Sequence, residues 1–267
     1  MSKIEYFRNK SVWITGASSG IGREIVLQLA EVTSQLFISG RNSESLEAVK
    51  IHSGFPNKIV VVVMDQGSPD SVKHACDVVL SGRDPIDMVI CNGGVSQRAY
   101  SLETAVEVER YIFEANYFSQ IQIAKRAAQS MDSSKGMHLI VTSSLLGKWG
   151  FPLRSTYAAT KHALHGYFDS LRMETKDSGL KITLVLPGFI HTPISKNAMN
   201  EVGKSSDSMD ANQMGGMSAY DCAKKILAGV ALEKNEFSVG GRETLGLLLR
   251  RFLPQLFDKI LIRKNPR

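Results

Sequence analysis

Ser11–Ala30, SVWITGASSGIGREIVLQLA, decides the fold. Ser11–Thr15 is a short apolar run with β-branched residues, the pattern of a buried strand. Glycines follow at 16, 20 and 22, and from Glu24 to Ala30 the apolar side chains recur at helical spacing. A strand, a glycine turn and a helix in that order let the backbone bend sharply. They also let a phosphate approach a helix N-terminus with no Cβ in the way. The spacing is G-x-x-x-G-x-G, not the dinucleotide pattern G-x-G-x-x-G. Gly16, Gly20 and Gly22 therefore read either as a phosphate cradle, with Ser18 and Ser19 as hydroxyl donors, or as a helix entry alone.

Outward from that turn, Gln35–Ser39 is a second strand, closing a βαβ unit. Sites selective for NAD usually place a carboxylate after this strand, for the ribose 2′-hydroxyl. Gly40-Arg41-Asn42 stands there instead. A guanidinium binds a 2′-phosphate by charge-assisted hydrogen bonds, so the expected cofactor is NADP(H) and not NAD(H); the alternative is a solvated arginine. A helix at Ser43–Ile51 leads to Lys58–Met64, apolar on both faces as central parallel strands are and ending at Asp65. Ser68-Pro69 starts another helix, and the strand Asp87–Cys91 ends in Asn92-Gly93-Gly94. Thr104–Met131 is long and helical and contains Asn116. An asparagine there either is buried and bends the helix or faces solvent.

His138–Thr142 is the fifth strand, with Ser143 and Ser144 at its carboxyl end. A helix runs on to about Lys176, a sixth strand covers Lys181–Leu186, and Pro187-Gly188 turns the chain toward Ile190 and Thr192. Ser218–Leu232 is helical and Phe237–Val239 a final strand. Alternation of this kind predicts an α/β class: a Rossmann-type doubly wound parallel sheet of about seven strands, helices on both faces, as a single domain over residues 1–267. Ligands of such sheets bind outside the carboxyl ends of the strands. Gly16, Asp65, Asn92 and Ser144 therefore belong to one edge.

The chemistry-bearing stretch is Ser144–Lys161, SLLGKWGFPLRSTYAATK. Residues four apart share a helix face, so the Tyr157 phenol and the Lys161 ammonium project together. A nearby cation favours a phenolate and lowers its pKa. The pair reads as a tuned acid/base with Ser144 as a hydroxyl donor, unless Tyr-x-x-x-Lys is here a chance surface pattern.

A chain of 267 residues, 43% hydrophobic and 22% charged, can bury a sizeable core. A net charge of +6 with pI 9.2 suits a phosphate-bearing ligand or an anionic surface. No nucleic-acid motif is present. Cys76, Cys91 and Cys222 have no paired spacing, so neither a metal site nor a disulfide framework is expected. MSKIEYFRNK lacks the apolar stretch of a signal peptide, and no apolar run reaches membrane-spanning length, which makes the cytoplasm the expected compartment. The polar, methionine-bearing segment 193–217 is either a substrate lid or a disordered loop. The tail 245–267, LGLLLRRFLPQLFDKILIRKNPR, is apolar with interspersed arginine and lysine and is broken at Pro254. It either docks on a partner subunit or lies on an anionic membrane surface.

TGASSGIG, Asn92-Gly93-Gly94, Ser144, YAATK and PGFIHT, in that order, resemble the short-chain dehydrogenase/reductases over about Lys10 to Val239. STYAATKHALHGYFDSLRMET and the basic apolar tail are similar to the hydroxysteroid-dehydrogenase-like branch. The resemblance implies hydride transfer between a nicotinamide and a carbonyl or secondary alcohol. It assigns Tyr157 as acid/base, Lys161 as the residue lowering its pKa and holding the nicotinamide ribose, Ser144 as the carbonyl-polarising hydroxyl, with Ser143 the less favoured neighbour, and Asn116 as holder of a relay water. It assigns Gly16, Ser18, Ile21, Arg41, Asp65, Asn92, Ile190 and Thr192 to cofactor contacts, and it implies a homodimer or homotetramer built on the helices around Asn116 and after Tyr157. Gly93 departs from the usual Asn-Ala-Gly. A silent NADP(H)-sensing protein and a peripheral membrane reductase of lipid-like carbonyls are the competing readings.

Overall fold

The computed structural model describes residues 3–82, 85–206 and 211–263. In chain order the elements are β1 (Ser11–Thr15), α1 (Gly20–Leu29), β2 (Gln35–Gly40), α2 (Ser43–His52), β3 (Ile59–Val63), α3 (Pro69–Leu80), β4 (Met88–Cys91), α4 (Val106–Phe113) and α5 (Ser119–Ser130). There follow β5 (Met137–Thr142), α6 (Ser155–Glu174), β6 (Leu180–Pro187), β7 (Ile190–His191), α7 (Ala211–Met214), β8 (Met217–Ser218), α8 (Ala219–Val230), β9 (Glu236–Val239), α9 (Gly246–Phe252) and α10 (Pro254–Ile262).

Seven strands form one parallel sheet in the order β3-β2-β1-β4-β5-β6-β9. The chain starts at β1, winds outward to β3, then crosses back to β4 beside β1. That reversal opens a crevice at the carboxyl ends of β1 and β4. Side chains alternate across the pleat. Trp13, Val89, Cys91, Leu139, Val141 and Ile182 pack with α3, α5 and α6 on one face. Val12, Ile14, Leu36, Ile38, Met88 and Ile90 pack with α1, α2 and α8 on the other. Both faces are covered, so the single-domain α/β sheet expected from the sequence is the one observed.

One strand sits elsewhere than its composition suggested. β3 is the sheet edge, not a central strand, and Val63 is exposed. Both of its faces nonetheless lie under helices: Val62 belongs to the α3 side and Ile59 to the α2 side. An apolar run reports that both faces are covered; it does not report how many neighbours the strand has.

Two connections had no sequence signal. β7 pairs with β8, Ile190 opposite Met217, so the predicted lid 193–217 has a closed neck. Its described residues are tied down: Met199 accepts from the Arg98 N–H at 2.7 Å and donates to Ser96 O at 2.9 Å. Positions 207–210 of the lid and 264–267 of the tail lie outside the described residues. The tail itself is two short helices, with Pro254 opening the second, where its missing N–H costs nothing.

Trp13 is fully buried and its Nε1–H donates to Ser39 Oγ at 3.0 Å, tying β1 to β2. Trp13→Ala should cost about 3–5 kcal/mol of unfolding free energy in a urea titration. A loss well below that would mean that the sheet centre collapses freely around the deletion.

Candidate active site

A cleft of about 460 Å³ follows the carboxyl edge of the sheet. One end is built from backbone. Gly16 and Gly20 have positive φ, +65° and +53°, which glycine adopts without strain. A Cβ at Gly16 would stand 2.5 Å from Gly93 Cα, so the turns after β1 and β4 touch backbone to backbone. A Cβ at Gly22 would overlap Gly16 O. Ser19 makes no side-chain capping hydrogen bond, which leaves the N-terminus of α1 uncapped where Gly20 and Ile21 line the cleft, a polarity suited to an anion. Ser18, Ser19, Gly20, Ile21, Arg41, Asp65, Asn92, Gly93 and Thr192 line this half, with Ile190 closing it from β7. The fit is that of an extended dinucleotide with its diphosphate over α1.

Two predicted cofactor residues lie off the wall. Gly22 supports the turn from behind, and Asn42 is turned away: its Oδ1 accepts from Ser45 N at 2.7 Å and caps α2. Asn92 works as a brace, donating from its backbone to Thr15 Oγ1 at 3.1 Å and accepting from Thr142 Oγ1 at 3.5 Å.

Ser144, Tyr157 and Lys161 meet at the end of β5. Ser144 Oγ accepts from Leu146 N at 3.1 Å, which leaves its proton free to donate to the Tyr157 phenol. Ser143 points the other way, with its Oγ 3.0 Å from His165 Nε2 and 3.3 Å from Lys161 O. The geometry therefore singles out Ser144. Lys161 is 4% exposed; its Nζ donates to Thr142 O at 2.9 Å and lies 5.7 Å from the centre of the Tyr157 ring. Asn116 is fully buried in a π-helical turn, Glu114–Phe118, that joins α4 to α5. Its amide clamps Val95, accepting from N at 2.7 Å and donating to O at 2.8 Å. Of the two options open for Asn116, the structure takes the buried, helix-distorting one.

The electrostatics correct one expectation. Burial holds the Tyr157 phenol above its ordinary pKa, and the groups opposing that shift are the Ser144 hydroxyl and then Arg154, not Lys161. Lys161 is itself desolvated, its pKa brought down to about 8 by burial, and its ammonium is engaged with a backbone carbonyl.

Several site residues escaped the sequence. Gln97 is fully buried, and its Oε1 accepts from the N–H groups of Thr156 (2.8 Å) and Tyr157 (3.3 Å), capping α6 from outside the helix. The Gln97 carbonyl also accepts from Arg154. Gln66 Nε2 donates to Ala115 O at 3.2 Å and Ser119 Oγ at 3.1 Å, and Glu243 Oε1 accepts from Phe189 N at 3.0 Å. Each acts across long sequence separations, where no local pattern exists to read. Gly93 had a partial signal, as the departure from Asn-Ala-Gly: a Cβ there would overlap Gln66 Oε1.

A parallel sheet with this switch point and a Ser–Tyr–Lys group at its carboxyl edge defines a nucleotide-cleft oxidoreductase architecture. Residues 10–203 match the family profile described as short chain dehydrogenase. The chain belongs to the short-chain dehydrogenase/reductase family, a family of oxidoreductases. It is 33% identical over 264 residues to rat dehydrogenase/reductase SDR family member 7B, covering 96% of this chain and 81% of that protein. The Anopheles gambiae SDR family protein 7-like sequence is 33% identical over 237 residues, 86% and 75% of the two chains. Among solved structures, a Burkholderia cenocepacia J2315 short chain dehydrogenase in complex with NADP superposes with TM-score 0.79 at 21% identity, over 96% of this chain and 98% of that one. A Burkholderia phymatum member in complex with NAD gives 0.81 at 20% identity, over 94% and 96%. At those identities the likeness is one of fold.

Lys161 allows a test of its buried charge. Its folded-state pKa lies below the ordinary 10.5, so holding the ammonium in the fold costs about 3 kcal/mol at neutral pH. That cost fades as pH rises from about 8 to 10.5, where the unfolded chain binds the proton and the folded one does not. Lys161→Met should therefore raise the thermal midpoint at pH 7 while abolishing turnover. A lowered midpoint would show that the Thr142 hydrogen bond outweighs the desolvation.

Proposed function

We propose that this protein is an NADP(H)-dependent reductase of carbonyl compounds, and in reverse a dehydrogenase of secondary alcohols, akin to the hydroxysteroid-dehydrogenase-like branch. The observation that carries the reading is the convergence of Ser144, Tyr157 and Lys161 on one wall of a cleft whose far end holds Arg41. Arg41 lines the cleft with Ser18, has its Nη1 3.4 Å from Tyr111 Oη, and is the group suited to a 2′-phosphate. Bound NADPH supplies the hydride.

The chain's own residues do the rest. Ser144, its lone pair engaged by Leu146 N–H, donates to the substrate oxygen and stabilises the alkoxide that develops there. Tyr157 protonates that oxygen; its raised pKa keeps the phenol protonated at neutral pH, as an acid must be. Lys161, whose ammonium lies 5.7 Å from the centre of the Tyr157 ring, is the residue that would hold the nicotinamide ribose. Asn116 and Gln97 hold the loop and the helix start against which the acid is positioned. Residues 193–217 act as the substrate lid. Association of subunits through α5 and α6 is supported by exposed Phe118, in the turn that leads into α5, and exposed Met173 on α6. The cytoplasm is the compartment, with contact to a membrane surface available through the exposed apolar side chains of α9 and α10.

Turnover measured with NADPH and with NADH across ketones, aldehydes and secondary alcohols tests the reading. Tyr157→Phe should keep NADPH binding and lose at least about 10²-fold in kcat; rates like those of the unmutated enzyme would sink the assignment. Arg41→Ala should raise KM for NADPH roughly 10- to 100-fold and leave NADH unchanged. Equal effects on the two cofactors would remove the 2′-phosphate role.

A further inference from the structure

The two C-terminal helices have two apolar sides. Inward, Phe257 is buried and packs edge-on to Trp149 with ring centres 5.1 Å apart. Leu249, Phe257, Ile260 and Leu261 line the cleft opposite Leu145 and Trp149. Outward, Leu245, Leu248, Phe252, Leu253, Leu256, Ile260 and Ile262 are all exposed, by 41–70%. Ile260 is on both surfaces, so the wall between the cleft and the outside is one side chain thick there.

Charge follows the same segment. Residues 245–267 contain six basic residues and one acidic, which is five of the chain's six net positive charges. Exposed Arg250, Arg251, Lys259 and Arg263 alternate with the apolar residues along this segment and give it a cationic rim, and Asp258 is already paired with Arg250 at 3.0 Å. A second copy docked about a two-fold axis would set this cationic rim against itself. An anionic bilayer answers both the apolar face and the rim. No helix among the described residues is long and apolar enough to cross a membrane, which leaves a seat on one leaflet.

We propose that α9 and α10 seat the enzyme on an anionic bilayer and form the door through which its substrate enters from the lipid. The substrate class that follows is a bilayer-resident carbonyl or alcohol with a long or polycyclic apolar body. It enters past Ile260, the side chain that faces both the cleft and the outside, with its oxygen leading toward Ser144 and Tyr157. The substrate part of this inference rests on the reductase reading; the seat does not.

The test uses the full chain with phosphatidylcholine vesicles, with and without phosphatidylserine. Unmutated protein should co-sediment with the phosphatidylserine vesicles at least about tenfold more than with the neutral ones, and less so at high salt. The triple variant Leu248→Ser, Phe252→Ser, Leu256→Ser changes side chains that do not line the cleft and should lose that binding. The variant Arg251→Glu, Arg263→Glu should lose it with the apolar face intact. Both should reduce a small water-soluble ketone at the unmutated rate and a vesicle-dissolved long-chain ketone at least about tenfold more slowly. Failure of the unmutated chain to bind either vesicle overturns the proposal. So does a triple variant that shifts from dimer to monomer in sedimentation velocity, which would give the face to a second copy. Vesicle binding without turnover of any ketone would retain the seat and remove the reductase reading.

Discussion

The buried hydrogen bond from the Lys161 ammonium to the Thr142 carbonyl, with those of Ser143 to His165 and to the Lys161 carbonyl beside it, holds the end of β5 against α6. It joins the last residue of β5 to the second turn of α6, so the helix carrying Tyr157 cannot slide along the strand end carrying Ser144. The ammonium is almost completely desolvated there, and an ion in that position is kept by its partners. The fold accepts a costly charge at the one place where position matters most.

Around that bond the edge is braced by short polar links between strands. Thr15 Oγ1 accepts from the backbone of Asn92 and of Gly93, and the Asn92 side chain reaches toward β1 on one side and β5 on the other. The Asn116 amide secures the next loop at Val95 and reaches Thr160 on α6 at 3.3 Å. Strand, loop and catalytic helix are thus linked by side-chain amides in place of regular backbone pairing. This is how an irregular region keeps buried N–H and C=O groups satisfied.

The sheet was legible because each strand is a local apolar run, and the glycine turn because its conformation demands residues without a Cβ. Strand order was less so: β3 carries the composition of a central strand and sits at the edge. Ser144, Tyr157 and Lys161 were legible from spacing on one helix and one strand end. Gln97, Gln66 and Glu243 were not, since each meets its partner across 27 to 60 positions. Asn42 misled for a related reason: a residue beside a site can serve the helix behind it. The protonation behaviour of Tyr157 was read from Lys161, one helical turn on, whereas burial raises its pKa and the Ser144 hydroxyl, then Arg154, oppose that rise.

Gly93 and Gln66 form one lock. The Gln66 amide occupies the volume an alanine at 93 would need, and it holds Gly93 O, Ala115 O and Ser119 Oγ from there. Alanine at 93 displaces that amide, and shortening residue 66 alone empties the space and strands its acceptors. The two positions are coupled in sequence space. A lineage leaving Asn-Gly-Gly for Asn-Ala-Gly therefore has to re-aim or shorten the side chain at 66 as well.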